Sequence, residues 1–280
     1  MRFKTKARTV RAGTTGAAML FALAGTSALA ADYPVLAAPP PPPSAWQFQA
    51  IGYGWATAIN GEVGVRNLPP VDANIDFRDV LRHLDGVFMG SFLAKNGEWM
   101  VMTDLVWAKL SDNALVKPSG NRRPVLAALL PGTYVELELR QLIASSIAGY
   151  RLPFVSPDLE LYATAGVRYN RLTPQLKATP GLIPITISRG RVEDWADPIV
   201  GVAAHWRITD RWFLNALADV GGFGIGSQFT AQGFASIGYQ WTPSISTSVG
   251  YRAIYTDYRD GGFLYNTTQH GLYSSLAYHF

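Results

Sequence analysis

From Trp46 onward, apolar and polar positions alternate with period two. In Phe229–Trp241, Phe229, Ala231, Gly233, Ala235, Ile237, Tyr239 and Trp241 share one face. Thr230, Gln232, Phe234, Ser236, Gly238 and Gln240 share the other. Leu159–Tyr169, Val200–Trp206 and Val249–Tyr255 repeat the pattern. Successive side chains of a strand point to opposite faces, so this alternation predicts strands. About ten are predicted: 46–59, 86–95, 98–110, 133–150, 159–171, 197–207, 211–221, 228–241, 244–258 and 268–280. Within 133–150, Glu136, Glu138 and Arg140 set a phase that Gln141–Ser146 does not keep, which predicts a bulge. Ile75–Leu84 instead has helical spacing at Phe77, Val80 or Leu81, and Leu84. It predicts a short amphipathic helix near the barrel mouth or folded inward; a loop with tucked apolar residues is the alternative.

The connections alternate in length. Asn96-Gly97, Arg151–Asp158, Thr209-Asp210 and Thr242-Pro243 are short, whereas Gly61–Asp85, Ser111–Gly132, Leu172–Ala196 and Arg259–Thr267 are longer. Gly222–Ser227 is a short exception on the second side. Its glycines fit the positive φ of a tight hairpin, since a phosphate-binding loop would need a helix after it and a strand follows. Short turns on one side and long loops on the other are the habit of transmembrane barrels, with short turns and both termini periplasmic.

Composition supports a lipid-facing wall. Only 16% of the 280 residues are charged and 12% are aromatic, against about 25% charged in soluble domains. Trp46, Trp99, Trp107, Trp206, Trp212, Tyr239, Trp241 and Tyr278 cluster near strand ends, as the aromatic girdles of membrane barrels do. There is no cysteine, hence no disulfide and no thiolate metal site.

The net charge of +4 misleads. Residues 1–30 carry Arg2, Lys4, Lys6, Arg8 and Arg11, no acid, a short apolar stretch from Gly16 to Gly25, and Ala28-Leu29-Ala30. That is the pattern of a secretory signal peptide. Removing its five basic residues from the 24 leaves 19 against 20 acidic ones, a net charge of −1. No nucleic-acid partner is expected. Residues 31–45, with prolines from Pro39 to Pro43, predict an extended periplasmic spacer ahead of a barrel over 46–280.

The sequence stretches AGVRYN, ITDRWFLNALADVGGFGIGS, SVGYRAIYTDY, GGFLYNTTQHG and LAYHF are the most family-like. Through them residues 44–280 resemble the small bacterial outer-membrane barrels of the porin-like, OmpA-like and opacity-like sort. The resemblance implies an all-β, transmembrane antiparallel up-and-down β-barrel of about ten strands, with eight or twelve as alternatives. It implies location in the cell outer membrane of a Gram-negative envelope, and partners in outer-membrane lipid, lipopolysaccharide, the barrel-assembly machinery and small solutes. Phe280, preceded at period two by Tyr278 and Leu276, resembles the assembly signal of such barrels. The architecture does not dictate one activity.

The polar strand faces supply the candidate chemistry. Asp104, Glu136, Glu138, Glu160 and Asp219 are expected in the lumen with Arg140, Arg168, Arg207, Arg252 and His205. Signs nearly balance, and barrels of this size are close to filled by side chains. An interior ion-pair network with at most a narrow pore is therefore expected, in a porin-like or structural barrel. A lipid-modifying enzyme and a surface or lipopolysaccharide-binding barrel are the alternatives. Catalysis is not expected: His270 and Ser274 share a face but lie about 13 Å apart by strand rise. The four histidines show no metal-ligand spacing, and no cofactor is expected. Lys117, Arg122, Arg123, Arg189 and Arg191 are loop candidates for lipopolysaccharide phosphates.

Overall fold

A computed structural model describes residues 46–64, 70–111, 134–153, 156–179, 187–190 and 192–280. The leader, the proline spacer, and the loop residues Lys117, Arg122, Arg123 and Arg191 lie outside the described residues.

Period-two alternation becomes β1 (Gln47–Gly64), β2 (Val71–Ile75), β3 (Leu84–Lys95), β4 (Trp99–Ser111), β5 (Tyr134–Arg151), β6 (Leu159–Thr179) and β7 (Ile187–Gly190). Then follow β8 (Glu193–Arg207), β9 (Trp212–Gly221), β10 (Phe229–Thr242), β11 (Ile245–Asp260) and β12 (Phe263–His279). Ten strands close a ring in the order β1-β3-β4-β5-β6-β8-β9-β10-β11-β12, and β12 returns to β1 over sixteen antiparallel pairs from Gln49↔His279 to Gly64↔Leu264. The fold is thus a closed antiparallel barrel. β2 and β7 are extra strands on β1 and β6 at the long-loop end. Closure gives every strand of the ring two neighbours, as membrane-spanning sheets require, although the β1–β3 ladder runs only from Gln47↔Lys95 to Gly52↔Gly90.

Turn chemistry explains the short connections. Between β3 and β4, Gly97 takes φ 87°, while Oδ1 of Asn96 accepts the amide of Trp99 at 2.8 Å. Between β9 and β10, Gly222 and Gly224 take φ 84° and 74°, the positive values expected for that glycine run.

The outer wall carries apolar side chains at alternate positions. Val101, Val167, Val200, Val202, Val220, Ile237, Val249, Leu272 and Leu276 are all exposed. At the short-turn end aromatics meet edge to face, Trp99 with Tyr150 and Trp212 with Tyr239, both at 5.0 Å between ring centroids. Apolar exposure bounded by aromatic rings is what hydrocarbon, not water, favours. Phe280, Tyr278 and Leu276 are exposed on this wall. Phe280 exchanges backbone hydrogen bonds with Phe48 at 3.0 Å and stacks on its ring at 5.7 Å, so the last residue locks β12 to β1.

One expectation is corrected, and the open choice for the helix is decided. β5 keeps an unbroken register against both neighbours, so the bulge predicted near Gln141–Ser146 is absent. The helix exists as α1 (Phe77–Arg82), but it has no buried residue, and Phe77 and Leu81 are exposed. It is not folded inward. It follows β2 beside β1, where the β1–β3 pairing has stopped.

Candidate functional site

The inward positions converge on a polar layer at mid-height. Asp104 of β4 is 5% exposed and Arg252 of β11 4%, and they meet at 2.8 Å across the lumen. Tyr53 of β1 and Ser91 of β3 each donate to Oδ1 of Asp104 at 2.7 Å. Arg252 donates to the Tyr53 hydroxyl at 2.9 Å and lies 5.0 Å from the centre of the Trp55 ring. Arg168 of β6, fully buried, meets both carboxylate oxygens of Asp219 on β9 at 2.8 Å and donates to Thr230 of β10 at 3.1 Å. Gln232 of β10 joins the halves: its Oε1 accepts from Arg252 at 3.0 Å and from Arg168 at 3.2 Å. Buried charges persist only when paired and hydrogen-bonded; the two arginines pair with two aspartates through their terminal nitrogens, while the Nε of each has no partner among the described residues.

Above this layer, toward the long loops, the lumen is filled. Trp55, Val106, Ile143 and Ile254 form one buried cluster, and Leu172, Trp195, Tyr258, Phe263 and Tyr265 another. Trp195 stacks on Tyr258 with centroids 4.0 Å apart. Asp197, fully buried, accepts from the Trp195 indole at 3.0 Å and from the Ser227 amide at 2.6 Å, tying β8 to the β9–β10 turn.

Below the layer a cavity of about 350 Å³ opens at the short-turn end. Met100, Ile147, Ile199, Leu217 and Phe234 line its middle, and Asp104, Arg168, Asp219 and Arg252 close its inner end. Toward the mouth stand Lys95 and Glu160, paired at 2.8 Å, and His205, whose Nδ1 lies 2.7 Å from Oδ1 of Asn215. Arg207 pairs with Asp158 at 2.7 Å on the exposed rim.

Six of the expected lumen residues, Asp104, Glu160, Arg168, His205, Asp219 and Arg252, line this cavity together, with Arg207 at its rim. Glu138 and Arg140 do not. β5 without a bulge turns Ile143, Ser145 and Ile147 inward, so Glu138 and Arg140, at odd separations from them, lie on the outward phase, where Arg140 is exposed and Glu138 is covered by its partners. There they join Lys109, which shares the outward phase of the exposed Trp107, and Asp85. Arg140 meets Glu138 at 2.6 Å, and Lys109 meets Asp85 at 3.4 Å and Glu138 at 3.6 Å. The side chains of Glu136 and Arg189 lie outside the described residues. Sequence reasoning missed Tyr53, Gln232 and Lys95. Gln232 does sit on the polar phase of β10, a signal that singles out the face but not the partners. His270 bonds Asn60 at 2.8 Å and the Tyr251 hydroxyl at 2.6 Å, not Ser274. Among the described residues no cluster of three His, Asp or Glu side chains could hold a metal.

No family model matches the chain, and no curated protein matches it. Among solved structures it is similar to the outer membrane protease OmpT from Escherichia coli, at 11% identity and TM-score 0.47 over 85% of this chain and 97% of that one. It is also similar to Ail, the attachment invasion locus protein of Yersinia pestis, at 10% identity and TM-score 0.35 over 84% and 98%. A third is a major outer membrane protein from Thermus thermophilus, at 15% identity and TM-score 0.36 over 84% and 100%. All three are bacterial outer-membrane β-barrels. Ring closure and strand count here come from the chain's own pairing.

Proposed function

We propose that this protein is a closed-lumen, porin-like outer-membrane barrel that serves a structural role and is not an enzyme, with a periplasmic vestibule for small amphipathic solutes. The observation that carries it is the bridge at Gln232, whose single carbonyl joins Arg252–Asp104 to Arg168–Asp219 across the lumen. A wide channel separates charges of opposite sign with water between them; here they are in contact and desolvated. The vestibule has an apolar belt between a charged floor and a charged mouth, and its volume of about 350 Å³ is at the lower end for small-molecule sites.

Planar-bilayer recording tests this reading. The full-length processed protein should give no stable single-channel steps. Steps of ordinary porin size from the unmodified protein would overturn the reading.

A further inference from the structure

The barrel wall is interrupted at one seam. β1 and β3 pair from Gln47↔Lys95 to Gly52↔Gly90 and no further, while β1 continues to Gly64 and β3 back to Leu84. The paired part is clamped by Phe48 stacking on Phe92 at 6.0 Å. The edge above it is capped by side chains. The amide of Trp55 donates to the thioether sulfur of Met89 at 3.3 Å, and the carbonyl of Trp55 accepts from the Thr57 hydroxyl at 3.0 Å. In a strand the N–H and C=O of one residue point the same way, so these are groups a continued β3 would have bonded. Hydrocarbon cannot satisfy them; Met89 and Thr57 do.

A cavity here opens on the outer wall, runs along it past Val249 and Ile237 to Leu214, and at the seam reaches inward. Its lining includes Tyr53, Trp55 and Met89 from the lumen side and the exposed Phe88 and Leu272 from the lipid side. Phe77 and Leu81 of α1 close over it from the long-loop end. Gly52 lies about 13 Å above the periplasmic end of β1, from a rise near 3.3 Å per residue and the usual tilt. The unpaired stretch therefore falls in the outer half of the hydrocarbon.

We propose that this seam is a lateral lipid site, taking one acyl chain of an outer-leaflet lipid through the wall and against Trp55 and Met89. The cavity is continuous with the lipid-facing belt, so acyl chains are what it meets. A polar solute would find the backbone of Trp55 already satisfied and would gain nothing from the apolar lining. The site meets the vestibule at Tyr273, which lines both; the Asp104–Arg252 layer otherwise lies between them.

The test uses the full-length protein in phosphatidylcholine vesicles doped with a phosphatidylcholine bearing a diazirine on its acyl chain. After illumination, adducts are mapped by mass spectrometry. Adducts on the lumen-side Trp55 and Met89 are expected alongside those on Phe88 and Leu272. The variant Gly52→Leu, Gly54→Leu fills the entrance without a clash, since a Cβ at Gly52 meets nothing within 4 Å and one at Gly54 only the Ser274 hydroxyl at 3.9 Å. In that variant the Trp55 and Met89 adducts should fall about tenfold, equivalent to ~1.4 kcal/mol of lost binding. Labelling confined to Phe88 and Leu272 in the unmodified protein would overturn the proposal. So would undiminished Trp55 and Met89 labelling in a variant that retains its heat-dependent gel shift.

Discussion

Arg168 and Arg252, two buried cations, share one acceptor, the Gln232 carbonyl, at 3.2 and 3.0 Å. Like charges are held this close because each guanidinium also has its own aspartate, Asp219 or Asp104, at 2.8 Å. The layer is neutral as a whole, and it draws on strands that are far apart in sequence, so it registers the ring as well as closing it.

Removing one charge should therefore cost more than removing a pair. Arg168→Ala leaves Asp219 buried without its partner, and the expected loss is about 3–5 kcal/mol. The double variant Arg168→Leu, Asp219→Leu should recover most of it, because apolar groups of similar volume replace a desolvated ion pair at little net cost. Urea titration of the heat-dependent gel shift in detergent measures both. A double variant as unstable as Arg168→Ala would show that the pair contributes more than mutual neutralisation.

Gln232→Leu isolates the bridge. Both ion pairs survive, but two guanidinium groups lose a shared neutral acceptor. A loss of about 1–3 kcal/mol is expected, the usual cost of an orphaned buried donor. Gln232→Glu would place a carboxylate between the two cations, and should leave stability close to that of the unmodified protein. An equal fall in both variants would mean that the amide donor of Gln232 matters more than its acceptor.

The ring and its lumen were legible in the chain because hydrocarbon enforces the contrast between alternate positions. Asp104, Arg168, Asp219 and Arg252 stand on strand segments with strongly apolar opposite faces, so phase alone turns them inward. Glu138 and Arg140 were misplaced for the complementary reason. β5 runs on past the apolar belt toward the long loops, where the pattern inverts: Leu139 packs on the apolar cluster inside, and the charged positions face out. Only the uninterrupted register from Arg140 to Ser145 decides their side. The Arg252–Asp104 contact joins β11 to β4, 148 residues apart, and needs ring closure, which no local pattern encodes. The seam was equally hidden, because Tyr53–Ala58 alternates as regularly as any paired stretch.

The corrected placement of Arg140 predicts chemical accessibility. The chain has no cysteine, so single-cysteine variants report cleanly. On intact cells Arg140→Cys should react quickly with a membrane-impermeant maleimide. Ser145→Cys, buried on the opposite face of β5, should remain unlabelled. Reaction of Ser145→Cys with no reaction of Arg140→Cys would restore the inward phase of Glu138 and Arg140.

Asp197 offers a test of how the long-loop end is held. Its carboxylate accepts the Ser227 amide at 2.6 Å and the Trp195 indole at 3.0 Å, so one side chain from β8 fixes the turn that joins β9 to β10. That turn is already constrained, with Phe223 at φ 50° between two glycines of positive φ. Asp197→Ala leaves three buried donors, the Ser227 amide, the Trp195 indole and the Asn170 side-chain amide, without this partner, at about 1–3 kcal/mol each, and frees Gly222–Ser227 to leave its fold. Protease added to intact cells should then cut after Phe223, which is exposed, in the variant and not in the unmodified protein. Arg207→Ala is the matched control. Its pair with Asp158 is as short, at 2.7 Å, but stands on the solvated rim, where ion pairs contribute little. It should leave both the cleavage pattern and the urea midpoint unchanged. If Asp197→Ala were as silent as Arg207→Ala, the turn would be held by its own backbone bonds, such as Gly224 to Ser227 at 3.0 Å, and not by the buried carboxylate.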